Sequence, residues 1–130
     1  MDRFKFRAYI KYAKLLEDVD SFFIDNLKEK ITLHFSDGHT KTMKLSDCIL
    51  RQSTGLKDKN GDLIYEGDIL KNNNTTAMYE VVFRNAGFYF RLYFKKYNET
   101  IDYLPPDEYF ASITEIIGNI HENEDLLEEK

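Results

Sequence analysis

Apolar and polar positions alternate with a period of two along much of this chain, the spacing of half-buried β-strands. Phe4, Phe6, Ala8 and Ile10 fall on one face of a first segment, and Lys5, Arg7 and Tyr9 on the other. Ile31, Leu33 and Phe35 alternate with Thr32 and His34. After the turn signal Asp37-Gly38, Thr40–Leu45 returns with Met43 and Leu45 on one side, which predicts a hairpin. The longest pattern is Met78–Arg84 followed by Phe88–Lys95, joined through Asn85-Ala86-Gly87. Phe88, Phe90, Leu92 and Phe94 form an unbroken apolar face in its second arm, and Tyr79, Val81 and Phe83 are the expected inward set of the first. So apolar a hairpin is expected near the centre of a sheet.

Between these segments the pattern is weaker. Lys11–Leu16 suits a short helical turn using Tyr12, Leu15 and Leu16, and Val19–Ile24 reads as a strand. Asp47–Leu50 fits either a short strand or a helical turn, and Asn72–Thr76 is a polar loop. Pro105-Pro106 stops any regular element because neither residue has a backbone N–H. A helical turn is expected within Asp107–Ile113, then a strand over Ser112–Ile117 closing at Gly118. Helical turns over Asn123–Glu128 are expected to be capped by Asn123 and anchored by Leu126 and Leu127. Many short strands without alternating long helices predict a mainly β fold. The expected form is a curved antiparallel sheet or small β-barrel with one or two short helices, α+β being the alternative. The expected organisation is one domain over residues 1–130, with a short acidic C-terminal end from about residue 122.

The most informative stretch is Ser53–Ile69, STGLKDKNGDLIYEGDI. Asn60-Gly61 predicts a two-residue type I′ turn, which needs φ > 0 at both positions. A strand ending near Lys57, a turn at Asp58–Gly61, a brief strand Leu63–Tyr65, a bend and a new strand are expected in that order. TGLKDKNG followed by IYEGDI resembles the signature of the YopX family, small proteins carried by phages and prophages of Gram-positive and other bacteria. Phe4–Ala8 is similar to that family's N-terminal strand, and Ile116–Asn123 with Leu126-Leu127 to its C-terminal end. Two positions depart: Tyr9 stands where Trp is expected and Ile10 where a polar residue is. The resemblance implies a phage-related protein that forms oligomers, with no activity and no functional residues to carry over.

Composition narrows the setting. Cys48 is the sole cysteine, so an internal disulfide is excluded and a reducing cytoplasm is expected. The N-terminal residues contain no apolar signal core, and no run reaches the length of a membrane span, so no membrane association is expected. The formal charge of −5 is uneven: residues 101–130 hold nine acidic side chains and one basic one, and the first hundred hold 14 and 17. An acidic end of this kind reads first as a solvated tail, and second as a segment that covers or mimics something anionic.

Candidate chemistry is sparse. Counted from Asp58, glycine is fourth and Ile69 twelfth, whereas a calcium loop needs glycine sixth and glutamate twelfth. His34, His39, His121 and Cys48 lack the short spacing of structural zinc ligands. The chain contains no nucleophile elbow, Walker loop or dinucleotide fingerprint. No catalytic residue, metal or cofactor is therefore expected. The remaining candidate is a polar sheet face of Lys5, Arg7, Tyr9, Tyr89, Arg91, Tyr93 and Lys95. Aromatics stack on bases and cations track phosphates, but Tyr and Arg are equally favoured at protein interfaces. The expected function is that of a non-catalytic accessory protein binding a further copy of itself, or a host or phage protein. A nucleic-acid-binding β module using that face is the alternative.

Overall fold

A computed structural model describes residues 5–72, 75, 77–84, 86–94, 99–105 and 107–127. The fold is mainly β, and eight of its strand pairings are antiparallel ladders. The backbone divides into two compact units, Met1–Ser53 and Thr54–Lys130.

The first unit contains β1 (Phe6–Ile10), β2 (Leu15–Val19), β3 (Ser21–Asp25), β4 (Lys30–His34) and β5 (Thr40–Lys44). A 3₁₀ turn over Leu45–Asp47 leads into β6 (Cys48–Lys57), which runs on into the second unit. β1 is flanked by β2 and by the first half of β6, while β3, β4 and β5 form a three-stranded sheet in chain order. The inward positions read from the alternation make the core: Ala8, Ile10, Ile31, Leu33 and Met43 are buried with Val19. Phe6, Phe22, Phe35, Leu45, Cys48 and Leu50 pack around them. Full burial of side chains such as Ile31 and Leu33 contributes about 1.5–3 kcal/mol each before the entropy cost. Phe4 lies outside the described residues.

Two expectations in this unit fail: Val19 ends β2 and Ser21 begins β3, so Val19–Ile24 is not one strand, and the helical turn near Leu15 does not form. Leu15 and Leu16 belong to β2, not to a helical turn. Lys11–Lys14 forms a tight turn closed by Lys14 N–H donating to the Lys11 carbonyl, with Lys14 at φ 53°. That reversal lays β2 along β1, Ile10 opposite Leu15, so sheet pairing overrides a weak local apolar grouping.

The second unit continues β6 beside β7 (Leu63–Tyr65), then adds β8 (Asp68–Asn72), β9 (Met78–Arg84), β10 (Gly87–Phe94), β11 (Glu99–Leu104), α1 (Glu108–Ser112) and β12 (Thr114–Asn119). A 3₁₀ turn covers Glu124–Leu127. The five-stranded sheet has the order β11-β10-β9-β8-β12, so the long hairpin is central as expected. Its core is Ile64, Leu70, Tyr79, Val81, Phe90 and Ala111. Asp107 caps α1 by accepting from Tyr109 N–H, and the helix packs Phe110 edge-on against Tyr79 at 5.0 Å between ring centroids.

Three details differ from expectation here. Phe83 is 50% exposed; it sits at the turn end of the hairpin, opposite Phe88, and stacks edge-on with it at 5.0 Å. Asn123 does not use its carboxamide as a helix cap, because Oδ1 accepts from Asn119 N–H instead. β11 pairs with β10 although Glu99–Leu104 carries no clean alternation. The side chains of Phe94 and Leu127 lie outside the described residues.

Candidate functional site

The Ser53–Ile69 stretch proves to be architecture. Gly61 takes φ 82° while Asn60 stays at negative φ, so the turn is not type I′. Gly61 N–H donates to the Asp58 carbonyl at 3.0 Å and Asp58 N–H to the Asp62 carbonyl at 2.9 Å, the pattern of a three-residue turn with a left-handed glycine. The buried Asp58 carboxylate explains why that turn wins. Oδ1 accepts from Asn60 and Asp62 N–H at 2.9 and 3.0 Å, and Oδ2 accepts from Ile116 N–H at 3.0 Å. A buried acid satisfied by three backbone donors holds its loop and is committed to structure. Asp68, also buried, does the same at the next bend, accepting from Tyr65 N–H at 2.8 Å.

The polar face read from the sequence falls on two separate sheets. Arg7 and Tyr9 lie on β1, with Lys5 just before it; Tyr89, Arg91 and Tyr93 lie on β10. Lys95 and the Tyr93 side chain are outside the described residues. Both arginines are paired with acids: Arg7 Nε donates to Asp18 Oδ1 at 3.1 Å, and Arg91 is ion-paired with Glu80, its cross-strand partner. Lys5 N–H donates to the buried Ser53 Oγ at 3.0 Å, and Lys5 is exposed.

A different surface brings together lysines that have no ion-pair partner among the described residues. Register across the three-stranded sheet places Asp25, Lys30 and Lys44 in one row, Phe23, Thr32 and Thr42 in the next, and Ser21, His34 and Thr40 in the third. Because Ile31, Leu33 and Met43 point into the core, these rows lie on the opposite, solvent-facing side. Phe23 is 64% exposed there, and the Thr32 and Thr42 hydroxyls hydrogen-bond at 2.9 Å. Lys30 and Lys44 are direct cross-strand partners, and with Lys28 they line an open depression of about 580 Å³. Asp25 turns its carboxylate to the loop, accepting from Leu27 and Lys28 N–H at 3.1 and 3.2 Å. The alternation Lys30-Thr32-His34 and Thr40-Thr42-Lys44 around Asp37-Gly38 carried this signal in the sequence.

Other titratable groups make no centre. At the exposed β4–β5 turn His39 Nδ1 lies 2.7 Å from Asp37 Oδ2, and His39 N–H donates to Asp37 Oδ1. The His39 backbone bond, then its ring, holds the Asp37 carboxyl below the ordinary range. Burial pushes the Cys48 thiol up. Among the described residues no three His, Cys, Asp or Glu side chains gather as a metal site, and no helix is long and apolar enough to cross a membrane.

Comparison with known proteins gives the chain a family. The model of the YopX protein family matches residues 5–128, nearly the whole length, and the chain belongs to that family. Among solved structures it is similar to the crystal structure of protein EF1440 from Enterococcus faecalis, with 28% identity and a TM-score of 0.67. That match covers 98% of this chain and 100% of the other. No curated protein matches.

Proposed function

We propose that this member of the YopX family is a non-catalytic accessory protein of phage or prophage origin. It works in the bacterial cytoplasm by binding, first to a further copy of itself and then to a host or phage protein. The observation that carries the reading is the edge strand β3. It ends its sheet, and Phe23, Ile24 and the fully exposed turn residue Leu27 leave apolar surface around it. Exposed apolar edges are templates for strand addition unless charge blocks them. Pairing β3 antiparallel with its copy about Phe23 sets Ser21 opposite Asp25 and Phe22 opposite Ile24, with no like charges facing. The other two edges of the first unit are less suited: β2 would oppose Glu17 with Glu17, and β5 carries Lys41 and Lys44.

Light scattering coupled to gel filtration tests this reading. The wild type should elute as an oligomer, and Ile24→Lys with Leu27→Glu should shift it to the monomer mass while leaving circular dichroism unchanged. A monomeric wild type at tens of micromolar would overturn it. The nucleic-acid reading of the Arg7 and Arg91 faces has weaker support, since both guanidiniums already face carboxylates.

A further inference from the structure

We infer that the solvent face of the β3–β4–β5 sheet binds single-stranded nucleic acid, with Phe23 stacking on a base and Lys28, Lys30 and Lys44 contacting phosphates. The face is complete within one copy, although it shares Phe23 with the edge proposed for self-association. The first support is an arrangement that folding alone disfavours. Lys30 and Lys44 sit directly opposite each other, and neither they nor Lys28 have an ion-pair partner among the described residues. Like charges directly across a ladder destabilise it, whereas a bound phosphate would relieve the repulsion.

The second support is the aromatic beside them. Phe22 packs edge-on against Phe6 at 5.2 Å, but its neighbour Phe23 turns the other way and stays 64% exposed. Its row continues as Thr32 and Thr42, small side chains tied to each other, so nothing in that row rises above the ring to stop a base lying on it. The lysine row lies two residues further along the strands, about 6.6 Å away. A base on Phe23 and its flanking phosphate in the lysine-lined depression would thus be served at once. An exposed aromatic on a sheet face with cations at its border recognises unstacked bases, which a duplex does not offer. Of the nearby acids, Asp25 is engaged by the loop backbone, and Glu29 lines the depression as one carboxylate against three lysines. The unit is locally basic, ten basic residues against eight acidic in residues 1–53, despite the acidic whole.

Fluorescence anisotropy with a labelled 15-nucleotide oligothymidine, titrated with the full chain at several salt concentrations, tests this. Binding should weaken with salt with a log–log slope of about −2, as three phosphate contacts on a single strand require. Phe23→Ala should lose roughly five- to hundredfold in affinity. Lys30→Gln with Lys44→Gln, checked for folding by circular dichroism, should lose at least tenfold and flatten the slope, while Lys5→Ala on the other sheet should change nothing. No binding by wild type at low salt, salt-independent binding, or equal affinity in the Lys30/Lys44 variant would each overturn the inference. So would a Phe23→Ala protein altered only in its oligomeric mass, which would assign the ring to a second copy.

Discussion

The Asp58 turn and the Lys30–Lys44 row handle charge in opposite ways. Asp58 is buried, and each of its carboxylate oxygens accepts from the backbone, one bond reaching 58 residues along the chain to Ile116. Lys30 and Lys44 are exposed and face each other, and among the described residues neither has an ion-pair partner. A buried charge persists only where its partners are fixed in advance, so the first arrangement is finished by folding. An exposed like-charge pair costs little enough to survive, and it leaves binding capacity unspent. The difference separates the family's signature from the surface on which binding is proposed: the conspicuous motif builds the fold, and the inconspicuous lysines face outward.

The sharpest break would come at Asp58. Asp58→Ala removes the acceptor from three N–H groups, and the loss should be about 2–4 kcal/mol in urea unfolding. A smaller loss is expected at Gly61. Its φ of 82° suits glycine, and an added Cβ would meet nothing within 4 Å, so Gly61→Ala should cost only the backbone strain, about 1–2 kcal/mol. Neither variant should change oligonucleotide affinity at a temperature where it remains folded; an affinity loss in either would join the two regions that are separated above.

The half-buried thiol adds a pH dependence. With the folded pKa of Cys48 raised by burial, the native state holds its proton after the unfolded chain has released it. Stability should therefore fall as pH climbs past the ordinary thiol range, and the raised Tyr79 hydroxyl acts in the same direction higher up. Alkylation of Cys48 by iodoacetamide should be slow at neutral pH and accelerate only in alkali. Fast labelling at pH 7 in the native protein would contradict this.

Much of the fold was legible because burial imposes a period of two. Ala8, Ile10, Ile31, Leu33, Met43, Val81 and Phe90 are all found inside, where alternation put them. The misses have local causes. Leu15 and Leu16 read as a helical turn because nothing in Tyr12-Ala13-Lys14 announces the tight reversal that pairs them with β1. Phe83 was counted as core although it lies where the hairpin leaves the sheet. Asn60-Gly61 alone favours a type I′ turn, but the turn that forms is held by an Asp58 carboxylate bonded to the distant Ile116. As for the site, the aromatic–cation logic of the sequence was sound in kind but placed on arginines whose acids, Asp18 and Glu80, become neighbours only through register. The lysine row likewise exists only once β4 and β5 are paired, so alternation alone could suggest but not align it.

The most direct test is a single substitution with two readouts. Lys44→Thr removes the cross-strand repulsion with Lys30 and supplies a residue suited to strands. The expected result is a protein more stable by about 0.2–1 kcal/mol in urea unfolding that binds oligothymidine several-fold more weakly. A variant that is no more stable, or one that is stabilised yet binds as tightly as the wild type, would contradict the claim that this face holds charge in reserve for a ligand.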